Sequence, residues 1–494
     1  MPSAAEIAAR EQRTPEQEAA LRDDLLTPLE GGTIDEAWLG EALGAKGVFQ
    51  RWAKPAGRAG MEGPYAMDRG SLERKHAVHG NPGILDTGQS LSAELRVSAG
   101  GVELGLYLKK ISARRFAARK TPHDLRRDLA SCSNECAFFE HISPALQASG
   151  VRTPGVFYLG QRSFHAPEHD AEKMAESEYM LVLESMMGPG SQLCQHSPLA
   201  RPEALHSLDL LARFHAWGWS PDAARAELMA SQLHARASYW DLPRRGVAEM
   251  EKMPENWAAF LASFSSGHGE YATELLARPR VVALADRMLA LGPWVSEQIH
   301  ENGESERFRT IVHGDPKAMN IFVPLEAEKD PAAMAGPDGA ALIDFQWTGK
   351  GLGMLDVAMH VSVLAPFSVL FLRRLNEVVV AQLYHSVELA AMEGGGEQEL
   401  LRWYHQRLSA HLGPEDAAAY TAEVMLRHYN LCLLDYGRVV MGAFWKGASS
   451  ETFAAKAARQ NCAMVYRADA CALRFAARLD EAAAALEAER GAGA

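Results

Sequence analysis

The chain has 494 residues, 47% of them hydrophobic and 23% charged, a balance that suits a globular protein with two unequal lobes and excludes a disordered or fibrous one. Its 63 acidic and 50 basic side chains leave a net charge of −13, which argues against general nucleic-acid or anionic-membrane binding and mildly favours a neutral or cationic small molecule. The cysteines Cys132, Cys136, Cys194, Cys432, Cys462 and Cys471 form no CxxC pair and no disulfide framework, so a reducing compartment is expected.

Residues 1–30 are charged and Ala-rich with no apolar h-region, which predicts no signal peptide and a cytoplasmic location. Thr33 and Glu36 have capping-box spacing for a short helix carrying Trp38, and the Gly- and Pro-rich residues 53–83 read as loop. From Ile84 the pattern alternates: Leu91, Leu95 and Val97 lead through Gly100-Gly101 into Val102, Leu104, Leu106 and Leu108, predicting two antiparallel strands that end at Lys109-Lys110. Because strand neighbours face opposite ways, only one of these lysines can serve a given site.

Asp124 to His141 reads as a helix, and 154–160 and 179–183 read as a hairpin pair. The second of these strands breaks into Met187-Gly188-Pro189-Gly190, which marks a boundary, and helical patterns dominate beyond it. The helix Leu205 to Trp219 includes His215, read as a core histidine. The longest apolar run, Val361 to Leu372, contains Pro366 and is shorter than the roughly 20 residues that cross a bilayer, so it reads as a buried helix. Further helices are expected over roughly 367–392, 397–411, 415–445 and 452–490.

The most informative stretch is Thr310 to Ala358. Apolar runs flank a polar turn that puts Asp315 and Asn320 on one loop, and Asp344 follows a short apolar strand, with a polar surface excursion between them over Pro324 to Ala341. Three oxygen-bearing side chains at one point suit a hard divalent ion such as Mg²⁺, and a carboxylate beside it can accept a proton from an attacking hydroxyl. This is the spacing that phosphoryl transfer on a kinase-type fold uses for base and metal ligands.

His313-Gly314-Asp315 with Asn320 and Ile343-Asp344-Phe345-Gln346 resembles the aminoglycoside phosphotransferase and choline kinase group, most closely its CHK, or ecdysteroid kinase-like, branch. The resemblance implies an α+β, bilobal protein-kinase-like fold, with a small, mostly β N-lobe holding one key helix and a large, mainly helical C-lobe. The implied organisation is an extension over 1–83, the N-lobe over 84–183, a hinge over 184–190, and the C-lobe over 191–494 with a catalytic loop at 311–323 and a metal segment at 341–358. It implies an ATP- and Mg²⁺-dependent kinase acting on a small-molecule alcohol, with no nucleic-acid, membrane or obligate protein partner.

Within that resemblance Asp315 is the base, Asn320 and Asp344 hold Mg²⁺, His313 braces the loop and Asp356 bonds its backbone; Lys317, two residues after the base, is placed to neutralise the transferring phosphoryl group, although the branch does not require a lysine there. The family pattern favours Lys109 over Lys110 as the phosphate-binding lysine, with Glu135 holding it, and Glu184 to Met186 as the adenine hinge. Thr87-Gly88-Gln89-Ser90 reads either as a degenerate nucleotide loop, through Gly88 and Ser90, or as a plain turn. Gln346 in place of a Gly and Gly314 in place of an Arg set the chain apart from protein kinases. The rival expectation is a catalytically silent nucleotide-binding or scaffold protein on the same fold.

Overall fold

The computed structural model describes residues 14–35, 37–38, 65–68, 84–99, 102–188, 190–195, 199–331, 339–361, 396–459, 465 and 469–492. They fall into two compact units. One gathers the described residues up to Glu140 with Pro154–Ser191, and the other gathers His141–Thr153 with those from Gln192 onward.

The first unit begins with α1 (Pro15–Leu25). The Thr14 hydroxyl accepts the Gln17 N–H and the Gln17 side chain accepts the Thr14 N–H, so the first turn is closed from both ends. Of the capping box expected at Thr33 and Glu36, Glu36 lies outside the described residues, and the Trp38 N–H is taken by the Asp35 carboxylate instead, at 2.9 Å.

One antiparallel sheet is built from β1 (Tyr65–Asp68), β2 (Leu85–Asp86), β3 (Ser90–Ala99) and β4 (Val102–Ser112) and, after the helix α2 (Pro122–Ala137), from β5 (Val156–Arg162) and β6 (Glu178–Glu184). Its order is β1-β3-β4-β6-β5, with β2 paired to β3. β1 corrects the reading of 53–83 as loop: it is a strand because β3 offers an edge to pair with, which no local pattern announces. The Gly100-Gly101 turn lies outside the described residues.

Side-chain alternation gives β4 two distinct faces. Leu104, Leu106 and Leu108 join Leu91, Leu95 and Val97 in a core that Leu25, Leu26 and Ile34 of the N-terminal segment also enter. Lys110 shares that face and is 7% exposed. Its ammonium donates to Asp24 O at 2.8 Å, Asp24 Oδ1 at 2.9 Å and Thr27 O at 3.0 Å, closing the C-terminal end of α1. We expect Lys110→Met to lower unfolding stability by about 1–3 kcal/mol, because it removes the ammonium from the Asp24 carboxylate and from Thr27 O. Urea denaturation checks this, and a variant as stable as the parent contradicts it.

α2 starts at Thr121, whose hydroxyl accepts the Asp124 N–H, and buries Leu125, Leu129, Cys132 and Cys136 at helical spacing with Glu135 on the same side. It ends at Ala137, where a single π-turn, Phe138–Ile142, takes over.

The second unit holds β7 (Leu193–Cys194), α3 (Arg201–Gly218), α4 (Leu284–His300), β8 (Arg309–Val312), β9 (Ile321–Pro324), β10 (Ala341–Leu342), β11 (Gly349–Leu352), α5 (Met354–Val361), α6 (Gly396–His411), α7 (Ala422–Val439) and α8 (Asp469–Ala492), among other helices. β10, β9 and β7 form one small sheet, and β11 pairs with β8 in another. α7 packs against α4, α5 and α8, and α3 against α6 and β8. The helix expected over 367–392 and residues 332–338 of the 324–341 excursion lie outside the described residues. The single helix expected over 415–445 is split: Pro414–Ala419 ends at Tyr420, and the Thr421 hydroxyl caps α7 through the Val424 N–H. Among the described residues, no helix is long and apolar enough to cross a membrane.

Candidate active site

β8 delivers the chain to His313 and Gly314, whose N–H groups both donate to Asp356, at 2.7 Å to Oδ2 and 2.8 Å to Oδ1. Asp356 sits in the first turn of α5 and is wholly buried. It also takes a bond from His215 Nε2 at 3.0 Å. A carboxylate only accepts, so His215 carries its proton on Nε2 and accepts at Nδ1 from the Tyr404 hydroxyl, 2.7 Å away. One buried acid therefore ties α3, α5 and α6 to the start of the loop.

Gly314 turns here at φ +83°, and a Cβ at this position would collide with the Trp347 carbonyl and lie 2.7 Å from Ser238 N. That double constraint requires glycine. His313 Nε2 donates to Ile343 O at 2.9 Å, while its Nδ1 accepts the Asp315 N–H at 3.2 Å. The imidazole is thus a brace between the loop and the segment that carries Asp344.

Asp315 is 6% exposed. Its Oδ2 lies 2.6 Å from Lys317 Nζ and 3.2 Å from Asn320 Nδ2, and Asn320 Nδ2 also donates to Asp315 O at 2.8 Å. Burial pushes the Asp315 carboxyl up from its usual range, the Lys317 ammonium pulls it down, and the Asp344 charge pushes it up again. Ile343 N donates to Asn320 O at 3.0 Å, so Asp344 follows directly on a residue stitched to the loop. Asp344 has a left-handed backbone, φ +68°, and is half-buried. Such a conformation in a non-glycine residue costs energy and tends to occur where a side chain must be aimed.

The structure therefore brings Asp315, Lys317, Asn320 and Asp344 to one place, with His313 and Asp356 holding it. Among the described residues no three His, Cys, Asp or Glu side chains come together as a metal cage. The donor set that fits a hard cation is mixed: the Asn320 amide directs its NH₂ at Asp315 and keeps its carbonyl oxygen for a ligand, and Asp344 supplies carboxylate oxygen.

The remaining predicted residues belong to the first unit. Lys109, on the opposite face of β4 from Lys110, donates to Glu135 Oε2 at 2.8 Å and Oε1 at 3.1 Å. The Glu184 carboxylate accepts the Gly155 N–H at 3.0 Å, and its own N–H donates to Gly155 O at 2.7 Å, so it fastens β6 to the start of β5. Met186 is buried and its carbonyl accepts from the Ser191 hydroxyl at 2.5 Å. Around Gly88, φ +77°, the turn is closed from within: Asp86 accepts the Gly88 N–H at 2.7 Å and Thr87 Oγ1 accepts the Ser90 N–H at 2.9 Å.

With that geometry in hand, comparison with known proteins is decisive for the family. The model of the ecdysteroid kinase-like family matches residues 108–387, more than half of the 494. The chain belongs to the ecdysteroid kinase-like family. Its units carry the family's kinase-like phosphotransferase fold, an antiparallel sheet with one Glu-bearing helix and a mainly helical partner. No curated protein matches this ecdysteroid kinase-like chain. Among solved structures, the crystal structure of aminoglycoside-3'-phosphotransferase of type VIII matches over 88% of this chain and 99% of its own, at 15% identity and a TM-score of 0.26. A superposition that loose carries no functional inference.

Sequence reasoning missed His360 and Thr348. His360 Nδ1 donates to Pro316 O at 2.8 Å and its Nε2 meets Ser207 Oγ at 2.7 Å, while the Thr348 hydroxyl donates to His313 O at 3.3 Å. His360 stands four residues after Asp356, hence on the same face of α5, and that spacing was the available signal. Burial lowers the His360 pKa to about 4 and that of His428 to about 3. Both are neutral in the folded chain, whereas in the unfolded chain they protonate below about 6.5. Below that value the unfolded state binds more protons, so stability falls as pH drops from about 6.5 toward 4. We expect a loss of about 1–2 kcal/mol for each imidazole between pH 7 and 5, read from denaturant midpoints. A stability that stays level across that window refutes buried neutral rings.

Proposed function

We propose that this chain is an ATP- and Mg²⁺-dependent kinase that phosphorylates a hydroxyl group of a small molecule. The observation that carries this reading is the buried Asp315 carboxylate, contacted by Lys317 and Asn320 and close enough to Asp344 to feel its charge. In this reading Asp315 takes the proton of the acceptor hydroxyl. The acceptor oxygen forms the new O–P bond as the bond from the γ-phosphorus to its bridging oxygen breaks, and ADP leaves with that electron pair. Lys317 balances charge on the transferring group, Lys109, held by Glu135, serves the α- and β-phosphates, and the backbone near Glu184 and Met186 serves adenine. When bound, Mg²⁺ neutralises the phosphate oxygens, and Asn320 and Asp344 are the residues that would hold it. The partner class is a small-molecule alcohol rather than nucleic acid or membrane, and the compartment is cytoplasmic.

A labelled-ATP phosphate-transfer screen of a metabolite mixture, read by mass spectrometry, tests this, and transfer to an alcohol is the expected result. One observation favours a second reading, a nucleotide-binding protein without turnover: the turn at Gly88 engages its own N–H groups on Asp86 and Thr87. Thermal stabilisation by Mg-ATP with no transfer to any alcohol would favour it.

A further inference from the structure

A partly exposed aromatic wall adjoins the candidate catalytic loop, and the mechanism makes no use of it. Trp347, three residues beyond Asp344, stacks on His234 with centroids 6.2 Å apart, and Tyr239 meets it edge-on at 6.4 Å. Phe444 extends the wall from Tyr239 at 6.3 Å. None of these four rings is fully buried. The wall is anchored to the loop through backbone, because Trp347 O accepts the Ser238 N–H at 3.0 Å and both groups crowd Gly314, the neighbour of Asp315.

Ser238 is also strained, at φ +77°, and its buried hydroxyl has no hydrogen-bond partner. The segment that carries Tyr239 is therefore held in a costly shape beside the reacting carboxylate. A wall with flat faces suits a flat apolar body.

The charge behind the wall is positive. Arg244 lies with its Cζ 5.5 Å from the Trp347 ring centroid, and it is fixed there by bonds to Ser238 O and, at 2.8 Å, to Arg236 O. Asp241, three residues before Arg244, is buried and bridged to Arg236 at 2.9 Å. Buried His300 behind it is disfavoured as a cation first by burial and then by Arg236, Arg309, Arg244 and Arg438 together. A ligand cation would thus find the Trp347 ring already engaged by a guanidinium and would meet a like charge.

We infer that this wall is the acceptor-selecting surface, that it takes an alcohol with a flat apolar body and a neutral or anionic substituent, and that Arg244 excludes cationic acceptors. The assignment rests on the kinase reading above, and it opposes what the whole-chain charge of −13 suggests. Net charge describes the whole surface, whereas selection is set by the few groups that touch the ligand.

The test uses the full chain and three phenylethanols that differ only in the para substituent: carboxylate, carboxamide and trimethylammoniomethyl. Binding is read by calorimetry and transfer from Mg-ATP by mass spectrometry. The expected result is binding of the carboxylate and carboxamide at least about ten-fold tighter than the ammonium, a preference that Arg244→Gln shrinks and Arg244→Glu reverses. Trp347→Leu should weaken all three. Equal or tighter binding of the ammonium by the wild-type chain overturns the assignment, whether or not phosphate moves, as does failure to bind any of the three. Discrimination in binding with no transfer to any alcohol supports the wall and sinks the kinase reading instead. Should Arg244→Glu not fold, the wild-type order and Arg244→Gln decide the matter.

Discussion

Replacing Asp315 by Asn should cut phosphate transfer by about 10²–10⁴-fold while the melting temperature stays near that of the parent, the scale expected when a general base is lost. Asparagine keeps the shape and can still accept from Lys317 and Asn320, which sit at 2.6 and 3.2 Å, so the loop has no reason to collapse. What disappears is the capacity to take a proton. The same group sets the acid limb of the pH profile. Burial and the Asp344 charge raise the Asp315 pKa above 3.8, so the reactive, ionised form is lost as pH falls through a value higher than that of an ordinary aspartate. Transfer by the Asn variant at the parent's rate, or a rate that holds level down to pH 4, would remove Asp315 from the role.

Asp356→Ala should produce the largest loss of stability, about 3–5 kcal/mol, with activity falling as a secondary effect. Three donors converge on this carboxylate: the N–H groups of His313 and Gly314, and His215 Nε2. Truncation leaves all three without an acceptor at a site with no access to water, and each orphaned donor costs about 1–3 kcal/mol. Asp356→Asn should cost less, because it retains one acceptor oxygen. Chemical denaturation of the two variants provides the measurement. An alanine variant within 1 kcal/mol of the parent would mean that the loop's shape is set elsewhere.

How much of this was readable beforehand depended on whether the deciding interaction was local. The positions of Asp315, Asn320 and Asp344 were legible because apolar runs on both sides of a polar turn leave few ways to arrange it. The choice between Lys109 and Lys110 was only half legible. Alternation says the two diverge, but which face meets Glu135 and which meets the end of α1 is set by elements 26 and 86 residues away in the chain. β11 escaped notice for a related reason. Gly349-Lys350-Gly351-Leu352 has poor strand propensity and is a strand through its pairing with β8. A two-residue strand such as β7 carries too little pattern to be read at all, and the split at Tyr420 was hidden inside a continuous helical periodicity. The aromatic wall was the hardest to foresee, since His234, Trp347 and Phe444 come from separate parts of the sequence, and lone aromatics are more often core than ligand contacts.

The layer that α1 and Ile34 lay over the sheet bears on how the chain can be trimmed. The family match opens at Leu108, midway along β4, with Leu104, Leu106 and the whole of β3 upstream of it. A fragment cut to that boundary would sever a strand at its centre and turn a greasy sheet surface out to water, so it should precipitate or be degraded. Domain limits drawn from the homology span alone would therefore mislead a laboratory choosing where to begin expression. A start upstream of Thr14 keeps the lid that shields the sheet.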